Sequence, residues 1–106
     1  MRSRRAAAMT EALTPVIPVT PALPQCPRLS RLFRLQFESA QDAWVLLYPE
    51  GMVQLNQSAA EILRRCDGRR KIDDIVAELQ ALFQIYGIRP QVVALLQEGQ
   101  SRGWID

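Results

Sequence analysis

Histidine is missing from this chain of 106 residues, and that omission removes much of the chemistry a small protein can do. Ser-His-Asp and Cys-His nucleophiles need an imidazole base, and the same ring is the commonest metal ligand. The two cysteines, Cys26 and Cys66, stand 40 positions apart and form no CxxC pair. Two isolated thiols in a His-free chain read as reduced side chains of a cytosolic protein, the alternative being one disulfide. Cys66 reads as a small buried apolar residue, with Arg64 and Arg65 the only hint of an activated thiol. Asp73 and Asp74 are adjacent, and adjacent positions on a helix point about 100° apart, so they suit a helix start better than a metal or an acid-base pair. The chain is therefore not read as an enzyme, and no metal or cofactor of its own is expected.

What remains is the chemistry of the main chain. Leu46 to Asn56, LLYPEGMVQLN, holds two short apolar runs on either side of Pro49-Glu50-Gly51, which suits a tight turn and predicts a β-hairpin. The second arm, Met52, Val53, Gln54 and Leu55, runs straight into a helix signal at Asn56. No further strand follows to pair with it. Unpaired N–H and C=O groups on such an edge can take up an extended peptide as an added strand; a helix, the N-terminal arm or a second copy of the chain are the other covers it could have.

Around that hairpin the periodicity predicts six elements. From Arg31 the sequence alternates, and Phe33, Leu35 and Phe37 are expected to face inward. Ala43 to Tyr48 reads as a second strand, apolar on both faces, and Met52 to Leu55 as the third strand of an antiparallel meander. A first helix starts near Gln57 behind an Asn56 cap, with Ser58 and Glu61 as an alternative capping box, and closes at Cys66-Asp67-Gly68. The second, about Ile72 to Tyr86, carries the stripe Ile72, Ile75, Val76, Leu79, Leu82, Phe83 and Tyr86, and Gly87 closes it. Pro90 opens a third, whose Val92, Val93, Leu95 and Leu96 are too many for one narrow stripe. Trp104-Ile105 is expected to fold back as a plug for the core, with a binding anchor as the sharper alternative for Trp104.

The first 27 residues are expected to form a disordered, Pro-rich arm, leaving 28–106 as the domain. Pro15, Pro18, Pro21, Pro24 and Pro27 recur every third residue, which is one turn of a polyproline II helix, and at about 3.1 Å per residue that run could extend roughly 37 Å. The arm reads as a linker, or as a docking strut if a reader domain exists. Its prolines interrupt the apolar run that a secretory signal needs, and no stretch is long enough to span a membrane. The protein is expected to be soluble and cytoplasmic.

The net charge of +2 lies entirely in residues 1–27, where Arg2, Arg4 and Arg5 oppose Glu11, while residues 28–106 carry ten bases and ten acids. That neutrality matters because the order βββααα describes an α+β, winged-helix-like domain, and many winged helices bind DNA. The third helix offers only Arg89 and Arg102, with Glu98 between them, where base-reading side chains would be wanted. Nucleic-acid binding is thus the second reading, and a structural dimer through paired edge strands the third. Arg64, Arg65, Arg69 and Arg70 read as a solvated surface rather than a dock for an acidic partner.

PRLSRLFRLQFE (27–38), VLLYPEGMVQLN (45–56), SAAEIL (58–63), DG (67–68), DDIVAEL (73–79) and GW (103–104) stand in one collinear order. In them the chain resembles the PqqD family, the small peptide chaperones of pyrroloquinoline quinone biosynthesis. The resemblance implies a precursor-peptide recognition element of three strands and three helices. It also implies a role: binding the ribosomal precursor peptide and presenting it to a radical SAM enzyme that cross-links a Glu and a Tyr. In that family the peptide lies along the third strand in a groove bordered by the third helix. Carried over, this places the peptide main chain on Met52, Val53, Gln54 and Leu55, and its side chains near Val92, Val93 and Leu96. Arg70-Lys71 departs from the Ser or Thr cap expected before the second helix, and the arm lies outside the resemblance.

Overall fold

The alternating stretch that opens the domain becomes the first strand of an antiparallel meander. In the computed structural model, which describes residues 22–106, the elements are β1 (Arg34–Glu38), β2 (Ala43–Tyr48), β3 (Gly51–Leu55), α1 (Gln57–Arg64), α2 (Ile72–Phe83) and α3 (Arg89–Ser101). The sheet order is β1-β2-β3. This is the expected α+β architecture of three strands followed by three helices. The expected arm, 1–27, falls on residues outside the described range as far as Pro21. Of its described part, Leu23 packs against the core and Pro27 is buried.

Cross-strand partners share a face. Leu35 opposes Leu46 and Phe37 opposes Trp44, while Leu46 and Trp44 in turn oppose Val53 and Leu55. This face meets the helices, where Leu46 and Leu55 join Ile62, Leu63, Ile75, Leu79, Val92, Leu96 and the plug residues Trp104 and Ile105 in one core. Val45, on the opposite face, is fully buried as well, so β2 is apolar on both sides as expected. Phe37 corrects the inward-facing expectation. It lies on the helix side but is 44% exposed, set edge-on to Trp44 at 5.4 Å at the margin of the sheet. β1 also begins later than the alternation does, because Phe33 N–H closes a turn on Ser30 O and leaves Leu32 in solvent.

Local chemistry sets the helix starts. Asn56 Oδ1 accepts Ala59 N–H at 2.8 Å, so it caps α1 and the alternative box is unused. Glu61 instead takes Arg64 and Arg65 at 3.1 and 2.8 Å. α2 starts at Ile72 without a Ser or Thr before it, because Asp74 reaches back to Lys71 N–H at 3.0 Å, half of a capping box. α1 ends at Arg64, short of the expected Cys66-Asp67-Gly68. Gly68, at φ +80, then turns the chain so that its N–H reaches Pro27 O at 3.0 Å. The segment that follows Pro27 is laced between this turn and the C-terminus. Leu29 N–H donates to Cys66 O, Ser30 N–H to Trp104 O and Asp106 N–H to Arg28 O.

α2 is shorter than its stripe predicts. Gln84 adopts the left-handed conformation at φ 54, ψ 49, and Ile85 N–H returns to Gln80 O at 3.1 Å, a Schellman closure. The Gln80 side-chain oxygen then accepts Gly87 N–H at 3.1 Å and Ile88 N–H at 3.4 Å. Hence Gly87 does not end the helix, and Leu82, Phe83 and Tyr86 are exposed rather than buried. Among the described residues no helix is long and apolar enough to cross a membrane.

Both cysteines are free. Cys66 is buried, donates to Ile62 O at 3.4 Å, and burial, aided by the Asp67 charge, pushes its pKa from 9.0 up to about 12. The unfolded chain therefore releases this proton first. The contribution of Cys66 to stability is whole below pH 9 and is lost as pH rises toward 12. A thiol reagent at pH 8 is expected to modify Cys26 in the native protein and Cys66 only after denaturant is added. Equal native rates at the two thiols would contradict that burial.

Candidate functional site

The geometry of β3 follows from its hairpin. Tyr48 opposes Gly51 across the two-residue loop Pro49-Glu50, and the pair that closes such a loop is the hydrogen-bonded one. Alternation then turns the main-chain groups of Gly51, Val53 and Leu55 toward β2 and those of Met52 and Gln54 toward the outer edge. Side chains alternate on the other axis. Met52, 52% exposed, and Gln54 stand on the face of the sheet turned away from the helices, while Val53 packs against the core and Leu55 is buried. Among the described residues, nothing pairs with that outer edge.

α3 packs on α1 and α2, and none of its Cα atoms comes within 8 Å of one in β3. Beyond the end of β3 this leaves an open groove, with a cavity of about 350 Å³ floored by Asn56, Ser58, Ala59 and Ile62 of α1 and walled by Gln91, Ala94 and Leu95 of α3. Among the described residues no charged side chain lines it, so what it offers is apolar contact beside a row of main-chain donors and acceptors. Among the described residues no cluster of His, Cys, Asp and Glu could hold a metal. The basic ends of α3 are both engaged, Arg89 with Asp73 and Arg102 with Glu98, which leaves this helix little to offer a phosphate backbone.

The seven residues singled out from sequence divide in two. Met52, Val53, Gln54 and Leu55 lie together on the edge strand. On α3 only Val93 is half-buried. Val92 and Leu96, at 1% and 0% exposure, belong to the core and do not line the open groove. The α3 residues that do line the groove, Gln91, Ala94 and Leu95, were missed. Their signal was a helical spacing with a small residue at its centre, which reads as an open face as easily as a buried one.

The arginines of the α1–α2 turn lie away from the groove. Arg65 and Arg70 bridge to Glu61, Glu78 and Asp67, and Arg64 lies over the Trp44 ring at 5.3 Å. Asp67 accepts Arg69 and Arg70 N–H at 2.9 and 3.0 Å, bonds that hold its carboxyl below the usual range. These contacts brace the turn between α1 and α2.

Comparison with known proteins agrees with this fold. The family model described as coenzyme PQQ synthesis protein D (PqqD) matches residues 43–105. The PqqA binding protein of Pseudomonas aeruginosa is 51% identical over 74 residues, which cover 69% of this chain and 80% of that one. The PqqA binding protein of Methylococcus capsulatus is 46% identical over 72 residues, covering 68% and 77%. A solution NMR structure of the PqqD part of Methylobacterium extorquens PqqCD, described as a functional and stand-alone recognition element for ribosomally synthesized and modified peptides, superposes with a TM-score of 0.68 at 26% identity. That match covers 80% of this chain and 95% of the other. The chain belongs to the PqqD family.

Proposed function

We propose that this protein binds a PqqA-type precursor peptide as an added strand on the outer edge of β3 and presents it to the radical SAM enzyme of pyrroloquinoline quinone biosynthesis. The observation that carries the reading is the register of β3, which turns the main-chain groups of Met52 and Gln54 outward beside a groove that α3 leaves open. Main-chain pairing sets the peptide's register, and apolar contacts with Val53, Val93 and Leu95 select among side chains. Leu55, Val92 and Leu96 act from beneath, by holding the strand and α3 in place. The protein itself performs no chemistry. It acts in the cytoplasm as a carrier, so modest affinity and ready release suit it.

The relatives named for PqqA binding support this choice of guest. The same edge favours one second reading, a homodimer in which two β3 strands pair. An amide NMR titration with a synthetic PqqA peptide tests the first. The expected shifts concentrate on Met52 to Asn56 and on Gln91 to Leu95. Shifts spread evenly over the domain would overturn the assigned groove, and a light-scattering mass that doubles with concentration and falls on peptide addition would mean that copies compete for the edge.

A further inference from the structure

We propose that a second pocket, at the far end of the groove, is an anchor subsite that takes one bulky aliphatic or phenyl side chain of the bound peptide. The proposal rests on the reading of β3 as the peptide's rail. The pocket encloses about 210 Å³ between α1, the C-terminal end of α2 and the first turn of α3, and its walls are Ile62, Leu79, Phe83, Ile85, Ile88 and Val92. That is below the size of a small-molecule site and suits a single large side chain.

Three observations select the occupant. Ser58, Ile62 and Gln91 line this pocket and the groove alike, so a chain leaving the end of β3 across the first turn of α1 meets the pocket directly. Among the described residues, the only polar side chains at it are Ser58 and Gln91, both exposed. Inside there is nothing to hold an ordered water, which needs two to four polar partners. The wall is also built rather than incidental. The left-handed Gln84 ends α2, and Gln80 fixes Gly87 and Ile88 through its side-chain oxygen. Phe83 and Ile85 are thereby held at the surface, 42% and 41% exposed, although burial of either would be favourable.

The test labels the isoleucine methyl groups and follows them together with the β3 amides as synthetic PqqA peptide is added. A parallel peptide series has each bulky apolar residue changed to Ala in turn. Methyl shifts are expected at Ile62, Ile85 and Ile88. One member of the series should lose those shifts and bind about tenfold more weakly. Phe83→Ala should weaken the native peptide by a similar factor and cost that one member nothing more, which marks the two side chains as partners. Methyls that stay still while the β3 amides shift would overturn the pocket and leave the rail standing. Methyls that shift while the β3 amides stay still would overturn the rail and keep the pocket as a peptide site.

Discussion

Gln54→Pro is expected to weaken peptide binding by about tenfold or more with the domain still folded, whereas Val53→Pro is expected to unfold it. The two positions are neighbours on one strand, and their main-chain groups point in opposite directions. Val53 opposes Leu46 in a hydrogen-bonded pair, so a proline there removes a ladder bond and drives its ring into the central strand, which costs roughly 3 kcal/mol or more. Gln54 opposes Val45 in the intervening pair, and its N–H faces the free edge. A proline there removes a donor that only the guest uses, and one such bond is worth about 1 to 1.5 kcal/mol, or close to tenfold in affinity. Circular dichroism and a binding titration on both variants check this. Wild-type affinity in a folded Gln54→Pro protein would sink the added-strand mechanism, and a stable Val53→Pro protein would show that the register is wrong.

Trp104→Ala should be the most destabilising single change at the C-terminus, by about 3 to 5 kcal/mol as for other large aromatic truncations in cores. The indole is 7% exposed and lies against Gly99, with Arg102 over its ring at 5.7 Å. Its backbone works as well: Trp104 N–H donates to Gly99 O and its carbonyl accepts Ser30 N–H, each at 2.7 Å. Losing the ring therefore loosens the segment after Pro27 together with the end of α3. At several degrees of midpoint per kcal/mol for a domain of this size, the thermal midpoint of the variant would fall by roughly ten degrees or more. Trp104→Phe keeps a ring in the same site and should fold. Urea unfolding measures the loss, and peptide affinity of the Phe variant should match wild type. Weaker peptide binding at unchanged stability would instead make Trp104 a contact residue.

Much of the site's scaffold could be read from the chain because its signals are local. Asn56 caps the residue three positions on, Pro49-Glu50-Gly51 marks the turn between two strands, and the alternation that leads into β1 is visible within a few residues. The resemblance carried by YPEGMVQLN and SAAEIL added the family, which the family match bears out. Which α3 residues reach the groove could not be read from the chain, for a definite reason. Val92, Val93, Leu95 and Leu96 cover more of the helix circumference than one packing face can hide. Only the rotation of α3 against α1 and α2 decides that Val92 and Leu96 go inside while Val93 and Leu95 stay half outside. The end of α2 could not be read either. Leu82, Phe83 and Tyr86 continue the apolar spacing beyond Gln80, whose side-chain oxygen serves Gly87 and Ile88.

By itself, then, the sequence determined the number and order of the elements, the starts of the helices, the absence of an imidazole anywhere in the chain, and a hairpin whose second arm has no later strand to meet. Each depends on residue types within a few positions, or on a count. Which main-chain groups of that arm face the free edge, which α3 residues line the groove, and where an apolar pocket opens were decided only by the tertiary structure. Those are properties of register and helix rotation, set by contacts between residues far apart in the chain.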